Sequence, residues 1–178
     1  ITGSILFDGR EIAGLPTHER ARAGIGYVPQ GREIIADFTV RENVVMGGFA
    51  SRSNGHVIPD IVPELFPYIA ENLERRGGNL SGGQQQQLAI SRALAAEPDL
   101  LLLDEPTEGI QPNIVEQIEE AVITLNTQYS KTVILVDQNL AFARRAASSF
   151  VLMEKGQIVA HGAIGELTND LVQRHMAV

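Results

Sequence analysis

The chain is 178 residues long, a fitting size for one domain, and its 44% hydrophobic content is enough to build a core beneath a surface with 20% charged residues. A net charge of −8 argues against a general nucleic-acid binder, which needs a basic face to neutralise phosphates. The complete lack of cysteine excludes a disulfide framework and a thiolate metal site, and no apolar run approaches the roughly 20 residues that would span a bilayer.

Ile1-Thr2-Gly3-Ser4 has neither the basic start nor the apolar stretch of a signal peptide. Any membrane role is therefore expected to come through a partner, and the missing cysteines fit a reducing cytoplasm. A first residue of Ile rather than Met reads as a piece of something longer.

In chain order, Ser4–Phe7 and Arg10–Ile12 are short strands joined by the strong turn signal Asp8-Gly9. Pro16-Thr17 opens a short helix to about Ala23, with Thr17 as its expected cap. Ile25-Gly26-Tyr27-Val28 is a short buried strand closed by Pro29, which leaves Gln30 in a loop. Thr39-Val40-Arg41-Glu42 has the form of a capping box, and a mostly helical stretch runs from about residue 37 to 95, broken at 51–55 and 76–79. Its last helix opens at Gly82-Gly83 and stops near Ala96, before Glu97-Pro98.

The pattern then alternates. Leu100–Leu103 reads as a strand covered on both faces. An amphipathic helix follows from Asn113 to about Thr127, with Ile114, Ile118, Val122 and Leu125 on one side. Thr132–Val136 is a second buried strand and Leu140–Ala147 a helix. Phe150–Glu154 and Gln157–His161 pair as a hairpin across Lys155-Gly156, and a short helix ends the chain. This alternation predicts an α/β fold with a mostly parallel sheet and a helical insertion at about 37–95.

Two features carry chemistry. Asp104-Glu105 follows the apolar run Leu100–Leu103, placing two carboxylates at the carboxyl end of a strand, where α/β folds bind ligands. Asp104 can hold a magnesium ion directly or through water, and Glu105 can orient a water for attack on phosphorus. Taken alone, the pair could equally end a strand and cap the next turn. The second feature, Leu80-Ser81-Gly82-Gly83-Gln84, sets a hydroxyl and two glycines at a helix start, where bare N–H groups and the helix dipole favour an anion. On its own, Ser81 reads as an ordinary cap before a flexible glycine pair.

Together, with Leu-Ser-Gly-Gly-Gln ahead of an apolar run and Asp-Glu-Pro, these features resemble the signature and Walker B motifs of ABC ATPases, and the resemblance runs from the opening hairpin to the end of the chain. It implies a P-loop NTPase-like fold: one ABC ATPase domain over 1–178, incomplete at its N-terminus, with the helical ABC subdomain at about 37–95. It implies that Gln30 is the Q-loop glutamine, touching Mg²⁺ and the attacking water and coupling to membrane subunits. Ser81, Gly82, Gly83 and Gln84 would contact the γ-phosphate of ATP bound by a second ABC ATPase subunit. Asp104 would be the metal-holding Walker B aspartate and Glu105 the catalytic glutamate. Glu108-Gly109-Ile110-Gln111 occupies the D-loop position, though it departs from the usual Ser-Ala-Leu-Asp.

Two further departures stand out. Gln138 occupies the position where most relatives carry a γ-phosphate-sensing histidine; its amide can donate a hydrogen bond but cannot become cationic. The same residue is usual in the branched-chain amino acid and urea branch. His18, His56, His161 and His175 lie elsewhere and read as surface residues. A Gly-x-x-x-x-Gly-Lys-Ser/Thr string, whose backbone nest and lysine grip phosphates, does not occur in the 178 residues. In the family it lies shortly upstream of the segment resembling Thr2–Gly9, so the sequence reads as N-terminally truncated and weak or inactive toward ATP as written.

Within the branch, His18–Ile34 is shared by the urea and branched-chain amino acid groups. Arg75–Gly78, Gln84–Gln87, Thr107–Pro112 and Arg174–Val178 look more like the urea type. The resemblance thus implies the ATPase of an importer on the cytoplasmic face of the bacterial inner membrane, first for urea and, as the alternative, for branched-chain amino acids. A catalytically incomplete binding module is the other alternative, and a DNA-repair or translation ATPase is disfavoured by the charge. The implied partners are a second ATPase subunit, permease subunits and, indirectly, a solute-binding protein, with no nucleic acid.

Overall fold

The computed structural model describes residues 3–51 and 57–176; His56 and most of the break expected at 51–55 lie outside the described residues. The chain forms two compact units, Ile1–Asp137 and Gln138–Val178.

The first unit opens with the hairpin β1 (Leu6–Phe7) and β2 (Arg10–Glu11). Its turn residues Asp8 and Gly9 both take positive φ, 47° and 74°, the pairing that lets a two-residue turn follow the twist of its strands. Helix α1 (Thr17–Arg22) starts one residue earlier than expected. Pro16 sits at the cap position with extended ψ of 156°, so Thr17 is the first helical residue and not the cap. Proline's fixed φ and missing N–H suit the lip of a helix, where a donor would be orphaned anyway.

Strand β3 (Ile25–Val28) leads into the helical stretch: α2 (Val40–Gly48), α3 (Ile61–Leu65), α4 (Pro67–Glu71) and α5 (Gly82–Leu94). Strand β4 (Leu100–Asp104), helix α6 (Pro112–Thr127) and strand β5 (Thr132–Val136) complete the unit. The strands form a three-stranded parallel sheet in the order β3-β4-β5, with Val28 opposite Leu103 and Asp104 opposite Val136.

The core lies on one side of this sheet. Val28, Leu101 and Leu103 are buried there with Leu88, Ile90 and Leu94 of α5 and Ile118, Val122 and Leu125 of α6. Val40, Val44, Val62, Phe66 and Ile69 fill the helical part. The other side is open. Tyr27, Ile134 and Val136 are 56%, 50% and 56% exposed, so β5 alternates where the sequence predicts continuous burial. A period-2 strand sends successive side chains to opposite faces, and only the face toward α5 and α6 is packed.

The second unit holds α7 (Leu140–Ala146), the antiparallel hairpin of β6 (Ser149–Glu154) and β7 (Gln157–Ala163), and α8 (Asn169–Met176). Lys155 and Gly156 make its turn at φ 49° and 79°. Among the described residues, Phe142, Leu152 and Leu167 are buried in it, and α8 packs on β6. His18 and His161 are exposed, and His175 contacts Glu154 at 3.2 Å.

Candidate functional site

The site begins where β4 ends. Asp104 closes the strand half-buried, and Glu105 leaves it with φ at 47°, its N–H donating to the Val136 carbonyl at 2.7 Å. A left-handed non-glycine residue costs about 1–3 kcal/mol and persists where its surroundings over-determine it. Here the backbone bond to the neighbouring strand end supplies that constraint. The Tyr27 phenol donates to the Asp104 carboxylate at 3.3 Å. Desolvation first, and then the Asp104 charge, push the Tyr27 phenol above its ordinary value, so it remains a donor at neutral pH. Tyr27 was not singled out from the sequence, although the signal was there. In parallel register Tyr27 faces Leu102, and Asp104 lies two residues on, on the same face.

Gln30 emerges from the end of β3 exposed, and its Nε2 donates to the Glu108 carboxylate at 2.8 Å. The amide nitrogen is thereby taken, and the side-chain oxygen is the atom suited to a cation. The three residues after it, Gly31, Arg32 and Glu33, all take positive φ, 81°, 70° and 46°. Arg32 Nη2 donates to the Glu108 carbonyl at 3.2 Å, so one residue receives both the Gln30 and the Arg32 side chains. Glu108 closes a turn onto Glu105, its N–H donating to that carbonyl at 3.2 Å. Thr107 Oγ1 donates to Asp137 at 2.7 Å, tying this loop to the one after β5.

The α5 start has the capping box its sequence implies. The Gln84 N–H donates to Ser81 Oγ at 3.4 Å, and the Ser81 N–H to Gln84 Oε1 at 2.9 Å. Gly83 answers a steric demand, while Gly82 faces the flexible end of a side chain. A Cβ on Gly83 would stand 2.8 Å from Ile114 Cγ2 of α6, and one on Gly82 would stand 3.2 Å from Arg32 Nη1. The guanidinium that reaches Glu108 therefore also lies against the helix mouth, joining the Gln30 loop, the 105–108 loop and the Ser81–Gln84 segment. Ser81 remains exposed, and the first N–H groups of a helix favour negative charge. Arg32 was not singled out by the sequence, and Glu108 was read only as part of the D-loop position, because the contacts that join them span 76 and 78 positions of chain.

Gln138 is exposed and opens the second unit, directly before Asn139, whose side chain accepts from the Phe142 N–H at 3.2 Å to start α7. Among the described residues, no group of three or more His, Cys, Asp or Glu side chains stands ready to hold a metal unaided. A cation such as Mg²⁺ takes one or two protein oxygens and completes its shell with phosphates and water.

Residues 1–108 match the family model described as ABC transporter. The chain belongs to the ABC transporter family. It is 44% identical over 161 residues to the high-affinity branched-chain amino acid transport ATP-binding protein BraG of Pseudomonas aeruginosa, covering 90% of this chain and 69% of that protein. It is 32% identical over 167 residues to a probable branched-chain amino acid transport ATP-binding protein of Archaeoglobus fulgidus, covering 93% and 71%. Among solved structures, a dimeric ATP-binding cassette in a post-hydrolysis state with ADP and phosphate matches at a TM-score of 0.76. That match has 26% identity and covers 91% of this chain and 73% of that one. The ADP conformation of another cassette matches at 0.80 and shares the fold. The expected α/β cassette with its parallel sheet is thus the observed fold, and the chain is an ABC ATP-binding subunit of a transporter, an ATPase by family. Among the described residues, no helix is long and apolar enough to cross a membrane.

Proposed function

We propose that this chain serves an ABC importer of branched-chain amino acids, hydrolysing ATP with a second ATPase subunit across a shared interface. The relatives favour this reading over urea, which the local residue patterns put first. The observation that carries the catalytic half is the strained carboxyl end of β4, the central strand, where Asp104 and Glu105 stand beside loops that also carry Gln30 and Ser81.

Each residue has a role in this account. Glu105, held at its left-handed turn, orients the attacking water on the γ-phosphate. Asp104, with the Gln30 side-chain oxygen, would hold Mg²⁺, and a bound Mg²⁺ neutralises phosphate charge as phosphoryl transfer proceeds. Ser81, Gly82, Gly83 and Gln84 offer N–H groups and a hydroxyl to the γ-phosphate of a nucleotide held by the partner subunit. Gln138, at the γ-phosphate-sensing position, would offer an amide hydrogen bond to a γ-phosphate without adding charge. The phosphate grip of a P-loop is not among these 178 residues, so their share is the water-positioning, cation-holding and partner-facing side.

The domain reading belongs to the same proposal: one ABC ATPase domain with the helical subdomain at about 37–95. Permease subunits would dock near Gln30 and this subdomain, on the cytoplasmic face of the membrane, and a solute-binding protein would deliver cargo. Closure on ATP and reopening after hydrolysis then act as a ligand-driven population shift.

Uptake by vesicles carrying the full-length subunit with its permease and binding protein tests the solute. ATP-dependent accumulation of labelled leucine, with urea not taken up, is the expected result. Accumulation of urea alone would return the assignment to the urea group.

A further inference from the structure

Arg92 lies near the end of α5, far along the helix from Ser81, and was not singled out by any motif. Its Nη1 donates to the carbonyl oxygen of Glu33 at 2.8 Å and its Nη2 to that of Arg32 at 3.2 Å. These are the two non-glycine residues that take left-handed φ in succession after Gln30. L side chains avoid that region, and two such residues in a row need an external hold. The side-chain hold has a rigid base. A Cβ on Gly47 of α2 would lie 1.8 Å from the Arg92 carbonyl oxygen, so the α2 backbone is pressed directly against the main chain of Arg92.

We propose that Arg92 is a positioning residue for the hydrolytic site. Its guanidinium keeps the Arg32–Glu33 backbone left-handed, and so fixes where Gln30 meets Glu108 and where Arg32 meets Gly82 and Glu108. The flat two-pronged guanidinium suits two adjacent carbonyls; an ammonium, as a point charge, does not hold both in the same geometry. Partial burial works against the charge of Arg92, while the nearby Glu33 carboxylate supports it, so the cation is kept at this junction at some cost. The consequence is that the loop carrying Gln30 takes its geometry from the body of the signature helix, and α2 bears on the same residue. The effect on turnover rests on the function proposed above; the clamp itself does not.

Two measurements on the full-length subunit in its transporter test this. The first is hydrogen exchange at the amides of residues 31–35. In Arg92→Met these should exchange roughly tenfold faster, with Arg92→Lys in between, while the Leu101 and Leu103 amides keep their protection. Unchanged loop exchange would overturn the clamp. So would equal acceleration at Leu101 and Leu103, since Arg92 would then be a general strut of the core.

The second is steady-state hydrolysis. Arg92→Met should lower kcat about tenfold with KM for ATP little changed. Adding Glu33→Gly, which makes positive φ free of steric cost, should recover part of the loss. A rise in KM alone, or no recovery with glycine, would overturn the positioning role. Turnover indifferent to Gln30→Ala would count against the functional reading only, leaving the exchange result to decide the clamp.

Discussion

Helix α5 and strand β5 belong to the same unit, and they are packed very differently. Helix α5 buries Gly83, Gln86, Gln87, Leu88, Ala89, Ile90, Ser91 and Leu94, and meets β3, α2, α4 and α6. Strand β5 turns Ile134 and Val136 outward, each at least half exposed, and is packed on one side only. The residues proposed for function are divided along the same line. Ser81–Gln84 sit at the start of this buried helix, held by their capping box and by the close approach of Gly83 to Ile114. Asp104 and Glu105 sit at the carboxyl end of the central strand of a sheet with one open face, tied by backbone bonds to β5 and to Glu108 and by a phenol. Packing and a helix cap fix the first group, and hydrogen bonds between strand ends and loops fix the second.

The comparison can be broken most sharply at the α2–α5 contact. Gly47→Ala places a methyl against the Arg92 carbonyl and forces two helices apart, costing about 3 kcal/mol or more in urea denaturation. A variant as stable as the parent would contradict the close approach.

Next come the two faces of the sheet. Leu103→Ala, on the buried side, should cost about 3 kcal/mol, and Ile134→Ala, on the open side, no more than about 1 kcal/mol, read in the same experiment. Equal losses would mean that the open face is covered in solution.

The caps come third. Thr39 caps α2 in a full capping box, with its hydroxyl 3.1 Å from the Glu42 N–H, so Thr39→Ala should cost about 1 kcal/mol. Hydrogen bonds from the Thr39 backbone N–H and then its side chain hold the Glu42 carboxyl below the ordinary carboxylate value. Its contribution is therefore present above that ordinary value and fades as pH falls below it, so the cost of Thr39→Ala should shrink in acid.

The smallest effect lies in the first hairpin. The hydroxyl of Ser4, then the backbone N–H groups of Ala13 and Ile5, bring the Glu11 carboxyl down to about 2. Its support for the hairpin should persist above the ordinary carboxylate range and disappear as pH falls toward 2. A carboxyl-carbon titration of Glu11 by NMR reads this directly, and a midpoint above 4 would remove the prediction.

Much of this arrangement was legible in the residues because it is local. Asp8-Gly9 and Lys155-Gly156 mark turns, Thr39-x-x-Glu42 and Ser81-x-x-Gln84 mark caps, and Leu100–Leu103 marks a strand whose end must carry Asp104. The features that escaped reading are non-local. Tyr27 on Asp104, Arg32 and Gln30 on Glu108, and Arg92 on the loop carbonyls all join residues far apart in sequence. Periodicity also could not say that only one face of the sheet is packed, because Val133–Val136 reads as uniformly apolar either way. Pro16 displaced Thr17 from the cap for a reason that was in view, the fixed φ of proline at a helix lip.

The central claim is that Glu105 orients the water that attacks ATP. Its most direct measurement is single-turnover hydrolysis by the full-length subunit with its partner, parent against Glu105→Gln, with ATP binding followed in the same samples. Nucleotide should still bind and the pair still close, while the hydrolysis rate falls by about 100-fold or more. Hydrolysis at the parent rate in Glu105→Gln would contradict the claim.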